Sequence, residues 1–568
     1  MIHSIKIYDL INKKQHNYKF LGLVFIIEFI IFALQAPFDL DPHHDGLSYA
    51  MAIASKEGYL PNRDFFAQYG PLTPYIFGFV LKLFGTDLLF LRLFTSLLLA
   101  LTGTVLFAIL KRRLLNVTSF LITLAWAVTS PIYLNLNTNL PWATVITSLM
   151  LILSINFLQL LESQNIVSKK FKLITFALCF LLIIGFLGRQ QLIFVFLFLP
   201  ILLIWEPDSY RVKYFRKLVL IYSLAIACFL GFILLSTGLM IPWFKECVLF
   251  AFKYSLTSSG WNTPQDALKA KIVDLALYLL FPGYVFFYFL AIKFSNRIRS
   301  QWVYTLITMS FFGVILAIQA LTIAASNKSF LNPYYLAIYF SQNTFMISGY
   351  LSASAIICVL FRFFRRNTLS IFEKLSIFIG ITALLQLYPV HDPLHIWWLT
   401  PVMLSSIVAK FFKFEIFAKP YIRIRFEIFT FFTILTSLAI LFSHLNFSRV
   451  EFKSPILQGI YAEASFVKSL DATLFALNRL PGNSKIAFDC MDAMYSVYDG
   501  TFNPQNRNIV NWEPKIFKYG FNLKKYDYVF VCYINSSDPR ILNYDASSKI
   551  VYQYDFNENF SNRIYKVD

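Results

Sequence analysis

The sequence predicts a mainly α, polytopic membrane protein with a small soluble α/β domain at its C-terminal end. Three observations predict it. Hydrophobic residues make up 57% of the 568 and charged residues 14%, against about 45–50% and about 25% in soluble domains. Apolar runs of about 20 residues recur from Phe20 to near Leu445, long enough to cross a hydrocarbon layer of roughly 30 Å as helices. From about Asn446 the pattern changes to short apolar runs broken by Asn, Asp and Pro.

In chain order, thirteen spans are expected, at residues 20–36, 88–110, 117–134, 142–161, 172–188, 190–205, 218–240, 272–292, 301–325, 334–361, 371–388, 396–414 and 426–445. The first follows a basic stretch and lacks a small-residue cleavage site, so it reads as a retained span. Basic residues fall in alternate loops: Lys13, Lys14 and Lys19, then Lys111 to Arg113, Lys169 to Lys172, Arg211 to Lys217, and so on to Arg425. The loops 135–141 and 389–396 have no Lys or Arg. By the positive-inside rule the N-terminus is cytoplasmic. An odd number of spans then puts the C-terminal segment outside, which in a bacterial inner membrane is the periplasmic side. This arrangement also accounts for the net charge of +19, so no nucleic-acid partner is expected. Two domains follow: 1–445, which crosses the membrane, and 446–568, which is extracytoplasmic.

The loop 37–87 is the richest in chemistry. Asp39, Asp41 and Asp45, with His43 and His44, lie beside the first span. Ionisable groups so close to hydrocarbon are costly unless they face water, a partner or a substrate, which marks a functional site. The plainer reading is a solvated loop whose aspartates cap a helix. Residues 45–57 have helical spacing that puts Asp45, Tyr49 and Ala52 on one face, and Gly58 suits the helix end. Residues 71–84 are apolar but short for a span, and are expected to lie along the membrane surface.

Two further groups lie at outer boundaries. In the segment 386–398, His391, Asp392 and His395 gather around a turn and could bind a divalent metal, hold a phosphate or orient another carboxylate. Trp397 and Trp398 beside them suit the membrane interface. Arg189 with Gln190 falls between two apolar runs, where a guanidinium can bind phosphate bidentately or reach lipid headgroups. The cytoplasmic loops carry no glycine-rich nucleotide motif.

In the C-terminal domain, residues 454–480 are expected to be helical. Strands are expected at 485–489, 526–533, 549–554 and 563–567. Cys490 and Cys532 end two of these strands. They read as buried thiols, with a disulfide as the alternative in a compartment that permits one. Cys179, Cys228 and Cys358 lie within apolar runs as packing residues.

The run 58–66, followed by Gln68 to Leu72, Phe84-Gly85 and Arg92, resembles the GT-C superfamily of integral membrane glycosyltransferases. The nearest branches are those of protein O-mannosyltransferases and lipid A aminoarabinose transferase. Tyr388-Pro389 with Asp392 and His395 is similar to a late-loop pattern of such enzymes. The resemblance is strongest over residues 20–115. It implies transfer of a sugar from a polyprenyl-phosphate donor to a lipid, surface glycan or protein acceptor on the outer face, with inversion. The family's outer-loop base falls on Asp45, with Asp41 second and Asp39 third. Many relatives carry a second acidic residue where this chain has Gly46. Arg189, Gln190, His391, Asp392, His395, Arg63, Asp64 and Tyr69 are the residues expected around substrate and donor phosphate. A divalent ion, if used, would sit on His391, Asp392 and His395. The competing reading is a transporter or flippase of lipid-linked glycans. That reading calls for ionisable residues near mid-span, whereas the clusters here lie at one face.

Overall fold

The computed structural model describes residues 17–67, 69–112, 114–130, 137–192, 209–250, 370–385, 393–411, 420–445, 448–490, 492–509, 523–534, 548–555 and 561–567, with residues 195, 199 and 203 besides. The helices up to residue 250 are α1 (Asn17–Gln35), α2 (His44–Lys56), α3 (Leu72–Phe84), α4 (Leu88–Leu110), α5 (Asn116–Val128), α6 (Ala143–Ser163), α7 (Lys169–Gly188), α8 (Tyr210–Ser236) and the short α9 (Met240–Trp243). A 3-10 turn, Gln190–Leu192, follows α7, and a π-helical turn, Phe244–Phe250, follows α9. Then come α10 (Ile371–Leu385), α11 (Pro393–Phe411) and α12 (Pro420–Leu445).

Among the described residues, α4, α6, α7 and α8 are each long and apolar enough to cross a membrane. The chain is therefore built as an integral membrane protein. The expected spans 272–292, 301–325 and 334–361, and most of 190–205, lie outside the described residues. The outward side of α8 is greasy: Leu220, Leu224, Phe229 and Phe232 are exposed, as helices facing lipid require. Inside the bundle, α1 packs on α4 at a glycine. A methyl group on Gly103 would come within 2.1 Å of the Glu28 carboxylate. Glu28 is buried, and neither of its oxygens has a hydrogen-bond partner.

The two short helices of the first outer loop form where their spacing predicts. Gly58 ends α2 at φ +93°, a left-handed conformation open to glycine. Helix α2 does not lie open at the interface, since Asp45 to Ala54 are all buried. Helix α3 does present an apolar face, through Phe79, Leu83 and Phe84.

The C-terminal module contains β1 (Val450–Glu451), β2 (Tyr461–Ala462), α13 (Ala464–Asn478), β3 (Ile486–Asp489), β4 (Arg507–Ile509), β5 (Tyr528–Ile534), β6 (Ser548–Asp555) and β7 (Ser561–Val567). Strands β1 and β2 pair with each other. The others form one five-stranded sheet in the order β4-β3-β5-β7-β6, parallel at β4-β3-β5 and antiparallel beyond. Strand β4, three residues long, is too short for its alternation to be seen in the sequence. The expectation of two thiols is corrected: Cys490 and Cys532 form a disulfide joining the ends of β3 and β5, with Cα atoms 5.3 Å apart. The expectation for the tryptophans is corrected as well. Trp397 and Trp398 are 0% and 1% exposed and belong to the core. Trp397 stacks on Trp126 at 4.7 Å, and each indole donates to the other's carbonyl at 3.0 Å.

A disulfide needs an oxidising compartment, which agrees with an outer C-terminal module. A cysteine placed at exposed Gln505 should therefore react with an impermeant thiol reagent on intact cells. Labelling that appears only after lysis would place the module inside.

Candidate functional site

The first outer loop folds around one buried ion pair. Asp45 opens α2 and Arg92 lies in the first turns of α4, and neither side chain has any exposed surface. Arg92 Nε donates to Asp45 Oδ1 at 3.2 Å, and Nη2 donates to Oδ2 at 2.5 Å. The remaining guanidinium hydrogens go to backbone: Nη1 to the carbonyls of Ala36 and Phe38 at 2.9 and 3.2 Å, and Nη2 to that of Asp39 at 2.5 Å. One side chain thus ties the end of α1 to α4. It also holds the turn in which Asp39 has a left-handed φ of +56°, a conformation that Asp tolerates better than most residues.

Asp45, the residue expected to be the base, is enclosed. Its oxygens are taken by Arg92 and by the amide of Asp41, at 3.0 Å. Burial raises its pKa, and the adjacent Arg92 only partly opposes this. The face it shares with Tyr49 is turned inward, where Tyr49 is fully buried and donates to the carbonyl of Thr86.

Asp41 has a different environment. Its Oδ1 accepts from the amides of His43 and His44 at 3.0 and 2.9 Å, closing the first turn of α2. Its Oδ2 lies 2.6 Å from His44 Nδ1. The side chains of Asp41 and His44 are 20% and 40% exposed. Burial pushes the Asp41 carboxyl up, but hydrogen bonds from His44 and the charges of both histidines outweigh it and hold it below the ordinary value. This is an oriented acid–imidazole pair with one side open. Asp39, the third candidate, is 3.2 Å from Arg449 of the C-terminal module.

From His44 a strip of rings runs across the loop. The His44 ring meets Trp142 edge-on at 5.1 Å, and Trp142 meets Tyr69 at 5.3 Å. The Arg189 guanidinium lies over the Tyr69 ring at 5.3 Å. The sequence brings Tyr69 there through Gly70, which has φ +109° and passes so close to α7 that a methyl group would be 2.2 Å from the Leu187 carbonyl. Arg189 caps α7 and is 3% exposed. Gln190 begins the 3-10 turn that follows. A small cavity beside Tyr69 and Trp142 is also lined by Ser48 and Thr73. Ser48 Oγ, Thr73 Oγ1 and Trp142 Nε1 are buried there without hydrogen-bond partners.

Other expected residues lie apart from this strip. Arg63 and Asp64 pair with each other at the surface, at 2.9 Å, and Asp64 also accepts from the Leu60 amide. Beside them, Asn62 anchors the turn by donating to the Ala67 carbonyl and to Glu246. His395 is in the first turn of α11, 8% exposed and 5.4 Å from the Trp398 ring. His391 and Asp392 lie outside the described residues. Among the described residues no three His, Cys, Asp or Glu side chains gather as a metal site. Sequence reasoning placed His44 in the cluster without giving it a role, and passed over Trp142, Ser48 and Thr73. The one available signal was that His44 follows Asp41 at helical spacing.

The two carboxylates should respond differently to mutation. Asp45→Ala leaves a buried guanidinium without its counter-charge, which costs about 3–5 kcal/mol. A large drop in thermal stability in detergent is expected. Asp41→Asn keeps the shape of a partly exposed group and should shift the melting point little. Equal effects would show that the pair with Arg92 is not the anchor.

No family model and no curated protein matches the chain. Among solved structures it is similar to the Archaeoglobus fulgidus oligosaccharyltransferase in complex with zinc and sulfate, at 11% identity over 90% of this chain and 68% of that one, with a TM-score of 0.48. It is similar to AglB of the same organism in complex with an inhibitory peptide and a dolichol-phosphate, at 11% identity over 91% and 70% of the two chains, TM-score 0.48. It is similar, too, to ArnT of Cupriavidus metallidurans bound to undecaprenyl phosphate, at 10% identity over 97% and 98%, TM-score 0.43. Both proteins are GT-C glycosyltransferases, the class that the first outer loop resembles in sequence.

Proposed function

We propose that the chain is a membrane glycosyltransferase. It would move a sugar from a polyprenyl-phosphate donor to a hydroxyl of a lipid, surface glycan or protein on the outer face. The observation that carries this reading is the continuous strip from the Asp41–His44 pair through Trp142 and Tyr69 to Arg189. Glycosyl transfer to a hydroxyl needs a proton acceptor at one end of the reacting centre and a cation for the departing phosphate at the other. Both are present, joined by aromatic rings of the kind that pack against a sugar.

In this reading the Asp41–His44 pair takes the proton of the acceptor hydroxyl. The hydroxyl oxygen attacks the anomeric carbon from the face opposite the phosphate. The carbon–oxygen bond to phosphate breaks, and its electrons stay on the phosphate oxygen facing Arg189. One displacement inverts the anomeric centre. Asp41 orients the imidazole through Nδ1, as an acid does in other nucleophile-activating sets. Ser48, Thr73 and Trp142 Nε1 offer neutral hydrogen bonds beside the ring strip. If a divalent ion takes part, His395 with His391 and Asp392 would hold it and offset phosphate charge, and a chelator would then slow transfer.

Glu28 is the feature that favours the transporter reading, because a buried intramembrane carboxyl is functional by default. It is sealed against Gly103, and among the described residues neither of its oxygens has a hydrogen-bond partner. Glu28→Gln should leave sugar transfer unchanged. If the variant lost all activity in cells while Asp41→Asn kept it, the transporter reading would take over.

General base catalysis contributes about 10²–10⁴-fold. Asp41→Asn presents an amide hydrogen to His44 Nδ1 and forces the wrong tautomer, so turnover should fall in that range with donor KM unchanged. Arg189→Ala should instead weaken donor binding. The pH profile separates the members of the pair. Transfer requires the deprotonated base, so the rate falls on acidification through the pKa of the group that accepts the proton. Asp41 is held below the ordinary carboxylate value, so Asp41 as direct acceptor predicts a rate that is flat down to that range. A limb well above the carboxylate range would identify His44 as the acceptor. Full activity of both Asp41→Asn and His44→Gln would end the catalytic reading of this loop.

A further inference from the structure

We infer that the C-terminal module positions the Asp41–His44 pair, and that Gly46 is the residue that lets it do so. The inference rests on the function proposed above.

The segment 37–46 is held from two sides. On the membrane side Arg92 binds its carbonyls. On the other side the module binds the residues that flank Asp41. The Tyr461 amide donates to the Pro37 carbonyl at 2.7 Å, and the Asp39 amide donates to the Tyr461 carbonyl at 2.9 Å. Arg449 pairs with the Asp39 carboxylate at 3.2 Å and lies 5.0 Å over the Phe38 ring. Beyond Asp41, the Met494 amide donates to the Pro42 carbonyl at 3.0 Å. The backbone on both sides of the proton-accepting residue is thus bonded to the module.

The last of these bonds needs a bare backbone in α2. A methyl group on Gly46 would sit 2.1 Å from the Met494 nitrogen, 2.6 Å from its Cα and 2.8 Å from the Ala493 carbonyl carbon. These are backbone atoms of the 3-10 turn Ala493–Val497, so no rotamer change can clear them. The turn itself is fixed. It follows Cys490, which is bridged to Cys532. The Ser496 carbonyl accepts from Arg507, which also pairs with Asp499. Asn562 Nδ2 donates to the Tyr495 hydroxyl at 3.2 Å. A rigid soluble module therefore sets where residues 37–46 lie above the membrane. The acidic residue that many relatives of the resembled family carry at position 46 would not fit here.

The test uses the full-length protein in a lipid nanodisc and needs two readouts. Hydrogen exchange of residues 37–46 reports whether the module holds the loop, and requires no substrate. Turnover with a polyprenyl-phosphate sugar reports the consequence. Gly46→Ala should raise exchange in 37–46 and 493–497 and lower kcat by about 10²-fold, the loss expected for a misplacement near 1 Å, with donor KM unchanged. Arg449→Met, which removes the pair to Asp39 and the cation over the Phe38 ring, should give the same pattern at smaller amplitude and with little risk to folding. Asp41→Asn should lower kcat without changing exchange at 493–497. Unchanged exchange in both Gly46→Ala and Arg449→Met would overturn the contact. Raised exchange with wild-type kcat would overturn the positioning role. A wild-type protein with no transfer activity would remove the functional reading and with it the catalytic half of this inference, leaving exchange to decide whether the module holds the loop.

Discussion

Everything at the outer face depends on the pair between Arg92 and Asp45. A buried ion pair loses two hydration shells and regains little unless every donor is used. Here the guanidinium is spent on the carboxylate and on three backbone carbonyls of the chain leaving α1. Those carbonyls have no helical partner, since α1 ends at Gln35. Arg92 thus satisfies the end of one helix, the start of another and the turn between them. An apolar substitute could fill the volume but would take this donor from the Ala36 and Asp39 carbonyls, whereas the Phe38 carbonyl also accepts from Asn137. The pair specifies this loop conformation more than it adds net stability.

That arrangement divides labour between two carboxylates four residues apart. Asp45, dry and paired, fixes geometry. Asp41, partly exposed and bonded to an imidazole, is the one that the proposed function uses as a proton acceptor. Their pKa values move in opposite directions for this reason, Asp45 up by burial and Asp41 down by its histidines. Environments that push two neighbouring acids apart are how one site obtains a structural and a reactive member. Neither acid is independent, because the Asp41 amide donates to Asp45.

The sequence made the helices of the first outer loop legible because their periodicity and their Gly and Pro boundaries are local signals. The ranges 45–57 and 71–84 differ from α2 and α3 by a residue or so at each end. Which acid is buried and which is open was not legible. Asp45 looked better placed, since it shares a helical face with Tyr49, but periodicity identifies a face without saying what covers it. The covering residues are Arg92, distant in sequence, and Met494, which comes from the other domain. Trp397 and Trp398 misled for the same reason. Indoles near a boundary suit lipid headgroups, until a partner such as Trp126 is known to supply both ring and carbonyl. The disulfide stayed the second choice because strand ends do not reveal which strands are neighbours, and β3 and β5 are separated in the chain by β4.

Gly46 shows how the soluble module enters the same argument. Glycine within a helix costs about 0.5–1 kcal/mol relative to alanine. Its neighbours on α2 include Ala50, Ala52 and Ala54, so small side chains suit this buried helix well. On α2 only position 46 goes without a side chain altogether, and there the backbone of Ala493 and Met494 in the other domain comes close against the helix start. The loss in helix propensity is offset by a hydrogen bond to Pro42 and by dense packing around it. A loop at a membrane surface has water on one side and no scaffold of its own. The module gives it a second wall through Tyr461, Arg449 and Met494. The membrane bundle supplies the ion pair and the Arg189 end of the strip, the module supplies rigidity, and Asp41 lies where the two meet.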